Sequence, residues 1–345
     1  MTLHLFIPSL FWPDSSQTDI YNELSLPSLE IILAKSVSTK NPSQEIDAWL
    51  CHTFGITKQQ NWPVAPIMLQ LDGSGKVETG KDYWIRADPV HLRLEQNHIM
   101  LADSQAFQIT KEEAEQFTNK LNHNLSNNGL VLLPLQPDRW YIRTTNTPAI
   151  RTHTLNKVTC ENINNFLPSG EEGITWNKIF NETQMLLHED PLNQAREARG
   201  ELAINSIWFW GGGIMPQSVE SPYTHIWSND DFPRALAIAS DTQHLRLPSN
   251  ATIWQQSAAP GNHLVVLDAL HVKAKYKDAY GWRLYMKELE QNWFQPLHKA
   301  LQKGNIDQLT ITTNNESACL NFTISHSDLW KFWLTKKPIT SFIMA

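Results

Sequence analysis

Beyond residue 200 the chain alternates. An apolar strand at 204–210 is followed by a helix at 231–239, a strand at 262–270, a long helix at 282–302 and a strand at 309–313. Strands separated by helices lie mostly parallel, because a parallel pair needs a crossover and the crossover helix must cover a face of the sheet. The first 60 residues share this style. Thr2–Ile7 reads as a short buried strand stopped by Pro8, 26–36 as a helix with Pro27 in its first turn, and 44–54 as a helix ended by Gly55. The intervening stretch differs. Residues 64–77 read as a strand, a Gly-rich turn and a second strand, 82–103 as two further β-rich runs, and 129–144 as a hairpin. Between them, 109–125 is an amphipathic helix opened by the capping box Thr110-x-x-Glu113. The expected architecture is a discontinuous α/β core, 1–60 plus 200–345, with a mostly parallel sheet and helices on both faces. An α+β cap domain is inserted at 61–199.

At 345 residues the chain has room for one large domain or two smaller ones. A net charge of −7 without any Lys/Arg run argues against nucleic-acid binding. Cys51, Cys160 and Cys319 are few, odd in number and far apart, so neither a disulfide framework nor a zinc motif is expected. The N-terminus lacks a basic n-region and no 18-residue apolar stretch exists, which points to a soluble cytoplasmic protein with no membrane partner. Walker, GxGxxG, HExxH and nucleophile-elbow motifs are absent. The 14 tryptophans are large apolar bodies best accommodated in a core.

The densest polar pattern is 181–213. A polar helix carrying His188, Asn193, Arg196 and Arg199 runs into the 204–210 strand, which includes Asn205 and ends on Gly211, Gly212 and Gly213. Glycines at the end of a parallel strand let backbone N–H groups approach an anion, and arginine suits bidentate capture of phosphate or carboxylate. Arg86, Asp88 and His91 lie on one short β-rich segment, and Arg139 and Arg143 flank Trp140-Tyr141. These thirteen residues are the candidate anion- or substrate-binding set. Each also has a structural reading. Arg86 with Asp88, and Arg196 with Glu197 or Glu189, can be salt bridges; His91 and His188 can be hydrogen-bonded scaffold; the glycines can be a tight turn.

The order of motifs resembles a known family. LPSLEIILAKS is similar to the first helix of alkaline-phosphatase-superfamily enzymes. YWIRADPVHLR, ITKEEA, RWYIR, DPLNQAR, INSIWFWGGGIMP, PSNATIWQ and LVVLDALHVKAKYKDAYGW resemble, in order, the archaeal-type cofactor-independent phosphoglycerate mutases. Closer still is the RpfE-type group of bacterial regulatory proteins, which share WPVAP, RADPVHL, NE-QMLLH and WGGG. The resemblance implies an alkaline-phosphatase-like core, a two-metal site and a nucleophilic serine, with metal ligands at strand ends. The implied ligand positions are altered. The first strand ends Ile7-Pro8-Ser9 where Asp-Gly is expected, and 37–44 offers only Ser38, Thr39 and Ser43 for a nucleophile. Aligned without gaps, Tyr276 and Tyr280 replace an Asp and a His, with Asp278 and His271 near but wrongly spaced; 314–317 reads Asn-Asn-Glu-Ser where Asp-His-Ser-Thr is expected. The expectation is a protein that has lost the two-metal centre, binds no cofactor, and acts by binding or regulation. It would retain an anion pocket between cap and core for a phosphorylated or carboxylate small molecule, or meet a protein partner. The alternative is an active mutase or phosphatase-type phosphoryl-transfer enzyme with a shifted or metal-independent site.

Overall fold

The computed structural model describes all residues except 15, 76, 96–97, 315–317 and 344–345. Among the described residues the strands are β1 (Thr2–Phe6), β2 (Val37–Pro42), β3 (Tyr83–Glu95), β4 (His98–Ala102), β5 (Val131–Gln136), β6 (Arg139–Thr144), β7 (Ser206–Gly213), β8 (His225–Trp227), β9 (Gln243–Leu245), β10 (Asn262–Val266), β11 (Gln308–Asn314) and β12 (Ala318–Ser325). The chain divides into two compact units, Met1–Phe54 with Glu220–Ala345, and Gly55–Val219.

The first unit is a mixed α/β layer structure. Its sheet runs β2-β12-β11-β1-β10-β8-β9. From β11 to β9 the neighbours are parallel, while β12 and β2 add an antiparallel edge. β1 lies at the centre, and Leu5 and Phe6, on opposite faces, are both fully buried. Its Leu3 and Leu5 join Leu29, Ile32, Trp282 and Leu297 in one apolar cluster. Each such side chain contributes ~1.5–3 kcal/mol by leaving water. The helix expected at 282–302 is interrupted. Regular helices at Ala279–Leu289 and Gln295–Gln302 are joined by a π turn at Glu290–Phe294. Pro296 brings no N–H to the ladder there, which favours a widened turn. The π turn aims Glu290 at the helix Pro27–Lys35, whose N-cap, Leu26, has no capping side chain. The Glu290 carboxylate accepts hydrogen bonds from the Ser28 and Leu29 backbone N–H at 2.7 and 3.1 Å, capping that helix from outside.

In the second unit the sheet order is β4-β3-β6-β5, with β7 also paired to β3. All its pairings are antiparallel. The strand expected at 204–210 in the parallel core therefore lies in the other sheet, and the polypeptide returns to the first unit only at Glu220. A strand buried on both faces reads alike in either sheet type, so its apolar run could not assign it. The segment 64–77, expected as paired strands, instead opens with the helix Val64–Asp72. Its apolar run is short enough to fit either element. The capping box at Thr110 and Glu113 is present in full, opening the helix Lys111–Leu125.

The polar helix expected to carry His188 through Arg199 is two helices, Gly173–His188 and Pro191–Ala198. Asp190 caps the second through the Leu192 N–H at 2.8 Å, and Pro191 occupies its first turn. All tryptophans except Trp62, Trp330 and Trp333 are buried, in keeping with a core role. No described helix is long and apolar enough to cross a membrane.

Candidate functional site

The thirteen candidate residues all lie in the second unit, and most have internal partners. Arg86 and Asp88 alternate onto one side of β3 and form a buried ion pair at 2.9 Å. The Arg86 guanidinium lies 5.1 Å from the ring centres of both Tyr141 and Trp210. Asp88 also accepts from Trp210 Nε1 at 2.7 Å and the Trp140 N–H at 3.2 Å. Burial alone would lower the Arg86 pKa, but the Asp88 charge holds it above its ordinary value. For Asp88, burial pushes the carboxyl up, opposed by Arg86 and the Trp210 N–H. Arg139 grips Asp72 through Nε and Nη2 at 2.8 and 2.7 Å, and Tyr141 donates to Asp72 at 2.5 Å. Arg143, half-exposed, stands 3.9 Å from Asp82.

Arg196 is 1% exposed. It donates to Glu113 at 2.6 Å and to the Leu202 and Gln108 carbonyls at 2.9 and 2.7 Å. Its expected partners, Glu197 or Glu189, are replaced by Glu113, which is also the capping-box carboxylate and accepts from Arg199 at 2.8 Å. Asn193 ties the Leu187 and Ile204 carbonyls and the Ile204 N–H together at 2.8–2.9 Å. Asn205 reproduces a backbone pairing with Leu92, and His91 Nδ1 meets the Ala203 carbonyl at 2.8 Å. His188 is exposed at a helix end.

The three glycines continue β7 rather than form a loop, and close packing accounts for them. A Cβ on Gly211 would stand 3.0 Å from Val64 Cβ, one on Gly212 2.8 Å from the Tyr83 hydroxyl, and one on Gly213 2.6 Å from Pro63 Cβ. Gly211 also has φ of 63°, a conformation costly for other residues.

A different site emerges in the first unit, at the carboxyl end of its parallel strands, where open α/β sheets bind ligands. The sequence places Pro8, Ser9 and Asn314 at these strand ends, as the structure does, but its gap-free spacing set His271 aside and passed over Asp230 and Asp268. β1 runs out into Ile7, Pro8 and Ser9. Ser9 holds φ of 57°, the left-handed conformation that the glycine of an Asp-Gly pair adopts without strain. Ser9 is pinned by its N–H to the Asn314 carbonyl at 3.2 Å and by Trp282 Nε1 to its own carbonyl at 2.9 Å.

β10 ends at Val266, so Asp268 and His271, not Tyr276 and Tyr280, stand at its carboxyl end. Tyr276 and Tyr280 are surface residues, 40% and 80% exposed. Asp278 caps its own helix through the Gly281 N–H at 2.8 Å. His271 Nδ1 lies 3.2 Å from Ser9 Oγ, while its Nε2 is buried without a partner. Burial pushes the His271 pKa down to about 4, assisted by Lys275. Burial raises Asp268. Asp230, after β8, is raised to about 6 by its low-dielectric surroundings and then by the Asp268 charge, although its side chain still meets solvent, which tempers the shift.

At the end of β11, Asn314 donates from Nδ2 to the Gln44 carbonyl at 2.8 Å. The 37–44 segment and the end of β11 thus meet through an amide and a carbonyl. Residues 315–317 of the expected Asp-His-Ser-Thr stretch lie outside the described residues.

Two hard cations need several carboxylates or imidazoles converging on them. Here Pro8 offers no donor, Asn314 is neutral and His271 is turned toward Ser9. Among the described residues no three His, Cys, Asp or Glu side chains converge as a metal-binding group. The described residues at this edge do not make up a two-metal ligand set. What the edge can do is more modest. Neutral His271 can accept the Ser9 proton, but among the described residues no carboxylate orients its far nitrogen as in a triad.

Comparison with known proteins agrees with this lineage. No family model matches the chain. The 2,3-bisphosphoglycerate-independent phosphoglycerate mutase of Methanosarcina mazei is 29% identical over 138 residues, 39% of this chain and 35% of that enzyme. That of Methanosarcina barkeri is 28% identical over 128 residues, 35% of this chain and 31% of the enzyme. The chain thus matches about a third of the length of these relatives. Among solved structures, the cofactor-independent phosphoglycerate mutase of Thermoplasma acidophilum superposes with a TM-score of 0.50 at 12% identity, covering 99% of this chain and 94% of that one. The PH0037 protein of Pyrococcus horikoshii gives 0.55 at 11% identity, covering 94% and 87%. The chain is phosphoglycerate-mutase-like in sequence and fold; the closer likeness expected to RpfE-type proteins is not shown by these comparisons.

Proposed function

We propose that this chain keeps a phosphoglycerate-mutase-like scaffold without two-metal phosphoryl transfer, and acts by binding or regulation. One observation carries the reading. At the strand ends where the family places ligands stand Pro8, Ser9 and Asn314, the last already committed to the Gln44 carbonyl. Losing these ligands removes both nucleophile activation and neutralisation of the phosphoryl charge, each worth several kcal/mol of barrier.

On this reading the partner is a phosphorylated or carboxylate small molecule, or a protein. The buried arginines weigh toward a protein. Freeing Arg86 or Arg196 for an anion would break a buried ion pair at a cost of ~3–5 kcal/mol. Arg143 and Arg199, about half-exposed, are the candidate arginines an anion reaches most readily. The test is a phosphoglycerate mutase and phosphatase assay on the full chain with manganese, with and without chelator. No turnover above background is expected. Turnover abolished by the chelator would overturn the proposal.

A further inference from the structure

We propose that the outward face of the helix Gly173–His188 is a self-pairing surface, through which two copies of this chain associate antiparallel. The inference goes beyond the functional reading above and does not depend on it.

The helix is 16 residues long, and Trp176, Ile179, Phe180, Thr183 and Leu187 turn its inner face into the second unit. The outer face carries Ile174, Asn177, Lys178, Asn181, Glu182 and Met185, which line one shallow groove. Their spacing of three and four residues puts them on one stripe. Ile174 and Met185, at its two ends, are 86% and 75% exposed, although large apolar side chains at such exposure have no packing reason to be there.

The stripe has an apolar residue at each end and two amide–charge pairs between them, Asn177 with Lys178 and Asn181 with Glu182. A two-fold axis crossing the helix at the level of Ile179 and Phe180 would set Ile174 against Met185 of a second copy. The same operation keeps Lys178 and Glu182 on one side of the stripe and at nearly one height, so each Lys178 meets the other copy's Glu182. On the opposite side Asn181 meets Asn177. Apolar, charged and amide pairs are satisfied together by one symmetry operation, which is the requirement of an isologous interface. Within one copy Lys178 and Glu182 are 3.7 Å apart, an exposed pair worth little by itself, so re-pairing across the axis loses almost nothing. Lipid is a poor occupant, because the stripe has both charge signs and only two apolar side chains. The helix is about 24 Å long at 1.5 Å per residue, so this stripe buries less than the ~800 Å² per partner of standard interfaces. The association is therefore weak, with Kd on the order of 100 µM.

The test is sedimentation equilibrium of the full chain from about 1 µM to about 1 mM. Wild type is expected to pass from monomer to dimer. Lys178→Glu and Glu182→Lys each place like charges across the axis and should weaken association by about tenfold or more. An equimolar mixture of the two variants restores opposite charges at both contacts, so it should associate at least as well as wild type. All four side chains in these contacts face outward, and circular dichroism verifies that the variants remain folded. Wild type monomeric throughout, single variants that dimerise like wild type, or a mixture no more associated than its components would each overturn the proposal.

Discussion

Glu113 shows how much one side chain can organise. Its carboxylate accepts from the Thr110 N–H at 3.0 Å, closing the capping box, and from Arg196 and Arg199 at 2.6 and 2.8 Å. Glu113→Gln keeps the shape and removes the charge, leaving buried Arg196 without its main counter-ion. The expected cost is ~3 kcal/mol or more, read from urea unfolding; a change under about 0.5 kcal/mol, the scale of an ordinary surface substitution, would contradict the buried pairing. The capping box was legible because its two residues are neighbours in sequence. The Arg196 partner was not, because Glu113 lies 83 residues away and long-range pairing leaves no local signature.

The histidines carry a pH prediction. His4 lies between the Tyr223 hydroxyl and Thr312 at 2.7 and 2.6 Å, and burial lowers its pKa from 6.5 to about 4. It is neutral in the fold. As pH falls through 6.5 only the unfolded chain takes up the proton, so stability is lost from there down to about 4 and levels off below. The loss is at most about 3 kcal/mol. Unfolding midpoints across pH 7.5 to 4.5 should fall less steeply in His4→Gln than in wild type; parallel slopes would refute the assignment.

At the scale of elements, the Gly211–Gly213 run exchanges one meaning for another. Three glycines after an apolar strand suggest a loop for an anion. Here they let Pro63, Val64 and the Tyr83 ring approach β7 closely. Gly213→Ala should therefore destabilise the protein by ~1–3 kcal/mol through overpacking, measured by chemical denaturation; a neutral substitution would mean the contact relaxes freely. The helices Lys111–Leu125 and Asp231–Ala239 were readable from capping residues and period. The sheet that receives β7 was not, since register and partner are tertiary choices. Likewise the break at Asp190-Pro191 was written in the sequence as an N-cap followed by an N1 proline, but helical polar spacing on both sides concealed it.

At the scale of the whole molecule, alternation of strands and helices was enough for a mostly parallel α/β sheet, and motif order for the mutase-like lineage. The candidate site was less legible. Gap-free spacing pointed to Tyr276 and Tyr280, but the sheet edge is set by where β10 ends, and Asp268 and His271 follow that end directly. The edge carries a left-handed bend at Ser9, and its described side chains do not converge as a metal-binding group. Equilibrium dialysis of the full chain against manganese, followed by metal analysis, reads out whether this edge holds a metal pair. No tightly held stoichiometric metal is expected. Two equivalents retained after dialysis, and lost on substituting Asp268 or His271, would contradict it.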